Sequence, residues 1–293
     1  MAENHLPVVN NAAEGDASAT DQRYNKTTLA ELGSQLPVGI RTAPGSLDKT
    51  LVVRPWKTKD EREIARLKKP DTSIAKYVAL IIGTMCERIG PHDLAQMKPA
   101  ERELIISQMY LGDVFYAYCY LRRMVMGSKL KVEFDCAHCK ERIPYVANLD
   151  TLEVNTVERE EQLGWSVDLQ DPIKIRSKEI RRFRLSAIRW STLENTAMVN
   201  AGSDAVAKIA AVRGSIVGLN DDPEPVMISD LEMDELSKFD LENLAHEVNI
   251  NNVGPVMAIE DECTPEFCPR GGGRKFTVAI DWSYDSFFGI SSR

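Results

Sequence analysis

Two cysteine pairs, far apart in the chain, constrain its fold more than any other feature. Cys136-Ala137-His138-Cys139 lies between two β-prone runs, Lys131-Val132-Glu133-Phe134 and Pro144-Tyr145-Val146-Ala147. Cys263-Thr264-Pro265-Glu266-Phe267-Cys268 lies between Met257-Ala258-Ile259 and Lys275-Phe276-Thr277-Val278-Ala279-Ile280. Two thiolate pairs on neighbouring turns supply four soft ligands in a tetrahedron, the arrangement a structural Zn²⁺ takes. The Cys136/Cys139 spacing lets both sulfurs face one ion from a tight turn. The Cys263/Cys268 spacing is longer by two residues and carries Pro265, followed by Pro269 and Gly271-Gly272-Gly273, so it is the looser match. A cysteine cluster of other ligation is the alternative, and His138 is a further candidate ligand. Two thiolates alone leave half the coordination sphere to water. The expectation is therefore one shared four-cysteine site on Cys136, Cys139, Cys263 and Cys268, a zinc clamp between the two ends.

The rest of the composition is that of a globular chain. Its 293 residues are 43% hydrophobic and 27% charged, enough for two modest domains or one large one. The net charge of −8 repels phosphate and argues against nucleic acid as the partner. No apolar run reaches the length of a membrane helix. Met1 to about Lys26 lacks an apolar core of the signal-peptide kind and is expected to be a mobile arm. The expected setting is reducing, where paired cysteines bind metal more often than they form disulfides. Cys86 and Cys119 fall inside apolar helical patterns and are expected to be buried thiols.

In chain order, Leu36–Thr42 and Lys49–Arg54 predict a hairpin around Pro44-Gly45-Ser46. Thr58-Lys59-Asp60-Glu61 predicts a helix start capped by the Thr58 hydroxyl. Helices are expected over 61–67, 72–88 and 99–126, with Pro99 suited to the first turn. The second half is expected to repeat this plan. Lys49–Thr58 aligns with Phe183–Thr192, setting Trp56 and Trp190 134 positions apart. Ile81-Ile82-Gly83 aligns with Ile216-Val217-Gly218 at 135, Cys136 with Cys263 at 127, and Val146-Ala147 with Val278-Ala279 at 132. Offsets of this size imply duplication of a whole domain plan, not a short solenoid period. The expected fold is α+β, two pseudo-repeats of hairpin, helices and knuckle strands sharing the four-cysteine site. Its boundaries are an arm over 1–30, a first repeat over 31–150, a linker over 151–170 and a second repeat over 171–293. The acidic 153–161 stretch is expected to be a solvated helix or linker.

Two surfaces stand out as candidate docking sites. Pro172–Arg176 and Arg181–Leu185 predict a hairpin, and Arg176, Lys178, Arg181, Arg182 and Arg184 form the densest basic cluster. Either it is the solvated outer face of that hairpin or, with Arg181 and Arg182 foremost, a dock for an acidic partner. The interleaved aromatics of a nucleic-acid stripe are scarce. Trp282, Tyr284, Phe287 and Phe288 crowd a short stretch near the C-terminus, either packing on the ribbon or hooking into a neighbouring subunit. No catalytic pattern stands out. The glycine triplet is not framed by a strand and a helix start, no His-Glu-x-x-His occurs, and four cysteines close a zinc site against substrate.

A helical segment ending in Leu121-Arg122 and Gly127 leads into a strand, Cys-x-x-Cys and a strand. A second cysteine pair then precedes an ending of Asp285-Ser286-Phe287-Phe288. This arrangement resembles the T-even-type bacteriophage baseplate hub subunit family of contractile tails over roughly residues 36–293. It departs from that pattern at Cys263/Cys268, which is not Cys-x-x-Cys. The resemblance implies a non-enzymatic structural or assembly component of the baseplate hub, located in the virion tail and assembled in the host cytoplasm. Its partners would be other hub, tape-measure or wedge proteins, with no small-molecule substrate, nucleic acid or membrane. The alternatives are a transient assembly chaperone absent from the finished virion and a zinc-ribbon regulator that binds nucleic acid.

Overall fold

A computed structural model describes residues 23–68, 72–135, 142–195, 204–222, 224–262 and 275–280. The described chain opens with β1 (Asn25–Thr28) and the single-turn α1 (Leu29–Leu32). A long hairpin, β2 (Gln35–Ala43) and β3 (Ser46–Val53), leads into α2 (Thr58–Leu67) and α3 (Ile74–Met85). Then come β4 (Cys86–Ile89), β5 (His92–Asp93), α4 (Pro99–Gln108), α5 (Leu111–Met126) and a second hairpin, β6 (Lys129–Asp135) and β7 (Arg142–Asn148). After β8 (Glu153–Thr156), a third hairpin, β9 (Gly164–Ile175) and β10 (Lys178–Ser186), precedes α6 (Trp190–Asn195), α7 (Asp204–Ser215) and β11 (Ile216–Leu219). The last elements are α8 (Asp230–Met233), α9 (Lys238–Ile250), β12 (Gly254–Pro255), β13 (Ala258–Glu262) and β14 (Lys275–Ala279). The result is a mixed α and β architecture of several small sheets.

Two of those sheets are antiparallel meanders, β2-β3-β4-β5 and β9-β10-β11, each interrupted by a helical pair before its third strand. They share details at the level of single hydrogen bonds. In both, a bulge lets the first strand advance five residues against two of the second, from Gln35 to Ile40 and from Asp168 to Ile173. The third strand meets the second at equivalent places, Leu51 with Ile89 and Phe183 with Leu219, and the register slips just beyond in both. The next residue turns the chain in a left-handed conformation, Gly90 at φ 53° and Asn220 at φ 48°. There the Gly90 amide donates to Thr50 O at 2.7 Å and the Asn220 amide to Arg182 O at 2.8 Å. Glycine suits such a φ, and asparagine is the side chain that best tolerates it.

A bulge leaves backbone amides without ladder partners, and burying them unpaired is costly. A buried carboxylate on the last long helix of each half supplies the acceptor. Asp113, the third residue of α5, accepts from the Val38 and Gly39 amides at 2.8 and 3.0 Å. Asp240, the third residue of α9, accepts from the Gln170 and Asp171 amides at 2.8 and 3.2 Å. Each carboxylate also lies in the first turn of its helix, where the free amides and the helix dipole favour negative charge.

The main core gathers α3, α5 and the β2–β3 hairpin. α3 is buried on nearly all sides through Ala75, Tyr77, Val78, Ile81, Ile82 and Met85, as expected of a helix apolar all round. Trp190 enters this core from the second half, edge-on to Phe115 at 5.7 Å. A smaller core in the second half joins Trp165, Ile180, Phe183, Leu185, Val212 and Leu244. At the seam, Tyr110 bridges Arg189, the Trp190 amide donates to Met109 O and the Leu111 amide donates to Ile188 O. Gly112 and Gly254 also press backbone against backbone there, where a Cβ on either would collide with the other.

Several expectations change. The predicted 99–126 helix is two helices, because Met109 and Tyr110 are extended and give their backbone groups to the second half. The helix predicted over 72–88 ends at Met85, and Cys86–Ile89 joins the β3 edge instead. The residue before the first turn of α2 is Lys57 and not Thr58; Asp60 caps by accepting the Lys57 amide at 2.7 Å while paired with Arg54. The arm expected over 1–30 does not reach its end, since Tyr24 and Leu29 are buried and β1 pairs with β8. The linker expected over 151–170 contains β8, the central strand of the β1-β8-β12 sheet, with Val154 and Val157 fully buried, so 153–161 is not a solvated helix. Ile81-Ile82-Gly83 lies in α3 and Ile216-Val217-Gly218 in β11, so that alignment joins like letters in unlike elements. The hairpins correspond two residues away from the predicted alignment, Leu51 with Phe183.

Candidate metal centre and docking surfaces

Cys136, Cys139, Cys263 and Cys268 lie outside the described residues, as do His138, Trp282, Tyr284, Phe287 and Phe288. Among the described residues, no group of three or more His, Cys, Asp or Glu side chains could hold a metal ion. What the structure describes is the pair of strand hairpins from which the two cysteine segments depart.

The hairpin stems stand side by side. β6 and β7 pair without a slip from Lys129↔Asn148 to Asp135↔Arg142, and β13 and β14 from Ala258↔Ala279 to Glu262↔Lys275. Both are rooted in the main core. Leu130 and Ala147 anchor the first stem there, and Ile280 closes the base of the second by donating its amide to Met257 O at 2.9 Å. Met257 also places its sulfur 3.8 Å from the buried Cys119 thiol of α5. Above those anchors the stems touch, two ladder pairs up from Leu130↔Ala147 and four up from the Ile280–Met257 bond. The Tyr145 hydroxyl donates to Asp261 Oδ2 at 2.7 Å, and its ring meets Phe276 edge-on at 5.7 Å. Burial and the neighbouring Asp261 carboxylate together push the Tyr145 hydroxyl up to about 12, so it stays a proton donor at neutral pH. Sequence pattern places Tyr145 in a strand without marking it; its partners are more than a hundred residues away, beyond the reach of local pattern.

Cys86 and Cys119 are free and buried, as expected. Burial lifts both thiols to about 12, which keeps them protonated and poorly suited to bind metal or act as nucleophiles.

The basic hairpin is β9–β10, and its Arg176, Lys178, Arg181 and Arg182 are answered by carboxylates. Arg181 meets Glu179 at 2.7 Å, Arg182 meets Asp168 at 2.5 Å and Asp221 at 3.6 Å, and Lys178 meets Asp222 at 3.2 Å. Arg176 pairs with Glu232 at 3.1 Å, and Arg184 donates to the Asp222 carbonyl. The hydrogen bond between them holds Arg182 above its usual value and Asp168 below its own. Arg181 is exposed and Arg182 half-buried, but the surface they offer is a mesh of both signs. Screened pairs of this kind add little to stability.

An open cleft of about 340 Å³ lies between α2, α3 and α4, lined by Leu67, Ala79, Leu80 and Pro99 with Glu63 and Arg102. Arg102 is engaged with the Met97 and Gly83 carbonyls at 3.0 and 3.1 Å. No described helix is long and apolar enough to cross a membrane.

No curated protein and no solved structure matches the chain. The family described as T4 bacteriophage base plate protein matches residues 40–253. That span takes in the second meander, the first from Ile40 onward, both buried carboxylates and the first cysteine pair. The chain therefore belongs to the T4 bacteriophage base plate protein family, whose place is the baseplate of the virion tail.

Proposed function

We propose that this chain is a non-enzymatic structural or assembly component of the baseplate hub, built from two copies of one plan and clamped by a structural zinc. The observation that carries the clamp is the contact between the two stems. Both hairpins rise from one core and touch partway along their length, which supports cysteine segments that leave from neighbouring stems. Cys136 comes four residues after Val132, the partner of Tyr145, and Cys263 two after Asp261. Extended chain covers about 3.3 Å per residue, so the cysteines lie at most about 13 and 7 Å of chain beyond the contact. Four thiolates suit Zn²⁺ and close its coordination sphere. Zinc there would tie the first half to the second, with a contribution on the order of 10 kcal/mol.

Support for the duplication is structural equivalence in order along the chain: the hairpin bulge, the slipped third strand, the left-handed turn and the carboxylate clamp. A protein of this design acts by holding neighbours. The candidate contacts are the aromatic stretch with Trp282, Tyr284, Phe287 and Phe288, and the Arg181/Arg182 hairpin. The mixed-sign face of that hairpin supports a protein partner over nucleic acid. The neighbours would be other hub, tape-measure or wedge proteins.

Truncation after Asp281, with hub proteins co-expressed, tests the contact reading. Loss of co-purification from a chain that keeps its thermal transition supports it. Unchanged co-purification removes the aromatic hook. Absence of the full chain from purified virions, by mass spectrometry, would replace the hub component with a transient assembly factor.

A further inference from the structure

Inside the chain the second half docks on the first at one corner. α6 starts at Trp190 and packs against α3, α4 and α5. The Leu111 amide donates to Ile188 O and the Trp190 amide to Met109 O, both at 2.8 Å, and Arg189 donates to Gln108 O at 2.6 Å. Each partner in this contact has a counterpart in the other half. α2 starts at Thr58 as α6 starts at Trp190, so Lys57 and Thr58 hold the places of Arg189 and Trp190. Asp113 and Asp240 are the third residues of α5 and α9, so Glu235, Leu236, Ser237 and Lys238 hold the places of Gln108, Met109, Tyr110 and Leu111. In the first half that corner is covered, with Met109 and Tyr110 buried. In the second half it stands at the surface, with Phe239 63% exposed and Leu231 of the neighbouring α8 79% exposed. Exposed apolar side chains of this size beside one another mark a contact surface better than scattered ones do.

We propose that the chain associates head to tail with a second copy of itself, the α8–α9 corner of one copy receiving the start of α2 of the next. This rests on the reading of the two halves as one plan and is independent of the zinc. Charge argues for that occupant. The start of α2 offers exposed Lys57, Lys59 and Arg62, with Glu61 beside them. The corner offers exposed Asp234 and Glu235, with Lys238 beside them. Lys57 and Glu235 hold the places of Arg189 and Gln108, which already meet within the chain. Oppositely charged surfaces steer association and fix its register. Thr58 stands where Trp190 enters the core, so the contact between copies lacks the tryptophan anchor and depends more on charge. A contact between unlike faces does not close on two copies; it builds a ring or a filament.

Sedimentation of the full chain over a range of protein and salt concentrations tests this. The wild type should form species larger than a monomer, growing with concentration or closing into one ring, and should dissociate as salt rises. Lys57→Glu and Glu235→Lys should each weaken association by about tenfold, and a chain carrying both should regain it. The decisive arm mixes two blocked chains. Lys57→Glu/Lys59→Glu is blocked at α2, and Leu231→Asp/Phe239→Asp is blocked at the corner. All four positions are exposed, so the thermal transition should stay that of the wild type. Each blocked chain alone should remain monomeric. Mixed, they should form a one-to-one dimer that does not grow, because one intact contact remains. A wild type that is monomeric throughout overturns the proposal. So does association that these variants leave unchanged, or a mixture that stays monomeric. Each of those results leaves the hydrogen-bond correspondence within the chain, and its metal content, to be judged by their own measurements.

Discussion

The two halves of the molecule solve one backbone problem with the same device but set it in different surroundings. In the first half the bulge clamp, Asp113 on Val38 and Gly39, lies beneath a large core that also takes in Trp190 and the hairpin stems. In the second half Asp240 on Gln170 and Asp171 serves a smaller core whose outer hairpin is covered by ion pairs. Burial alone pushes Asp113 up to about 6 despite its two amides and nearby Lys49. The Ser237 hydroxyl additionally donates to Asp240 at 2.8 Å. The lesson is that local hydrogen bonding defines the plan, while the amount of apolar surface stacked on it decides how deep the plan is buried.

The strongest way to break the comparison is at the two tryptophans. Trp190 is fully buried in the other half's core, whereas Trp56 is only half-buried at the edge of its own. Trp190→Ala should cost about 3–5 kcal/mol in urea unfolding, and Trp56→Ala clearly less. Equal losses would mean that the second half does not rely on the first for its anchor.

Next come the clamps. Asp113→Ala leaves two buried amides without an acceptor, at roughly 2–5 kcal/mol, and Asp240→Ala leaves two part-buried ones, at a smaller loss. Hydrogen exchange should quicken at Val38 and Gly39 in one variant and at Gln170 and Asp171 in the other. Protection that survives in either variant would break the equivalence of the two clamps.

Acidity sharpens it further. Because the folded-state value of Asp113 is raised to about 6, between about pH 4 and pH 6 the folded chain keeps a proton that the unfolded chain has released. The stability this adds is present on the acid side and lost as pH rises through about 6. The advantage of wild type over Asp113→Asn should therefore shrink by up to about 3 kcal/mol from pH 4 to pH 7. A constant difference across that range would place the carboxylate in a wetter setting.

The smallest effect is at the hairpin turns. The second-half turn holds Arg176 and Ser177 at φ 49° and 66°, whereas the first-half turn uses Pro44-Gly45. Ser177→Gly should stabilise by about 0.5–1 kcal/mol in thermal unfolding, since only glycine adopts that φ without strain.

Much of this was legible in the sequence. β-prone runs marked the β6–β7 and β13–β14 strands, hairpin patterns marked β2–β3 and β9–β10, and two matched tryptophans suggested duplication. What escaped was set by distant partners. Met109 and Tyr110 leave helical geometry because, across the seam, the Trp190 amide donates to Met109 O and the Leu111 amide to Ile188 O. Val154 and Val157 read as stray apolar residues in an acidic stretch until β1 and β12 are placed on either side of β8. Asp113 and Asp240 look like ordinary first-turn acids, and only the bulges they serve reveal them. For the candidate site, the sequence supplied the cysteines, while the contact that brings their stems together joins Tyr145 to residues far along the chain.

The measurement that bears most directly on the clamp is the metal content of the full chain purified without added zinc, set beside Cys136→Ser and Cys263→Ser. One zinc per wild-type chain, lost in each variant, is the predicted result. Zinc retained in both variants, or a half-site that fills on its own, would contradict a single ion shared between the two halves.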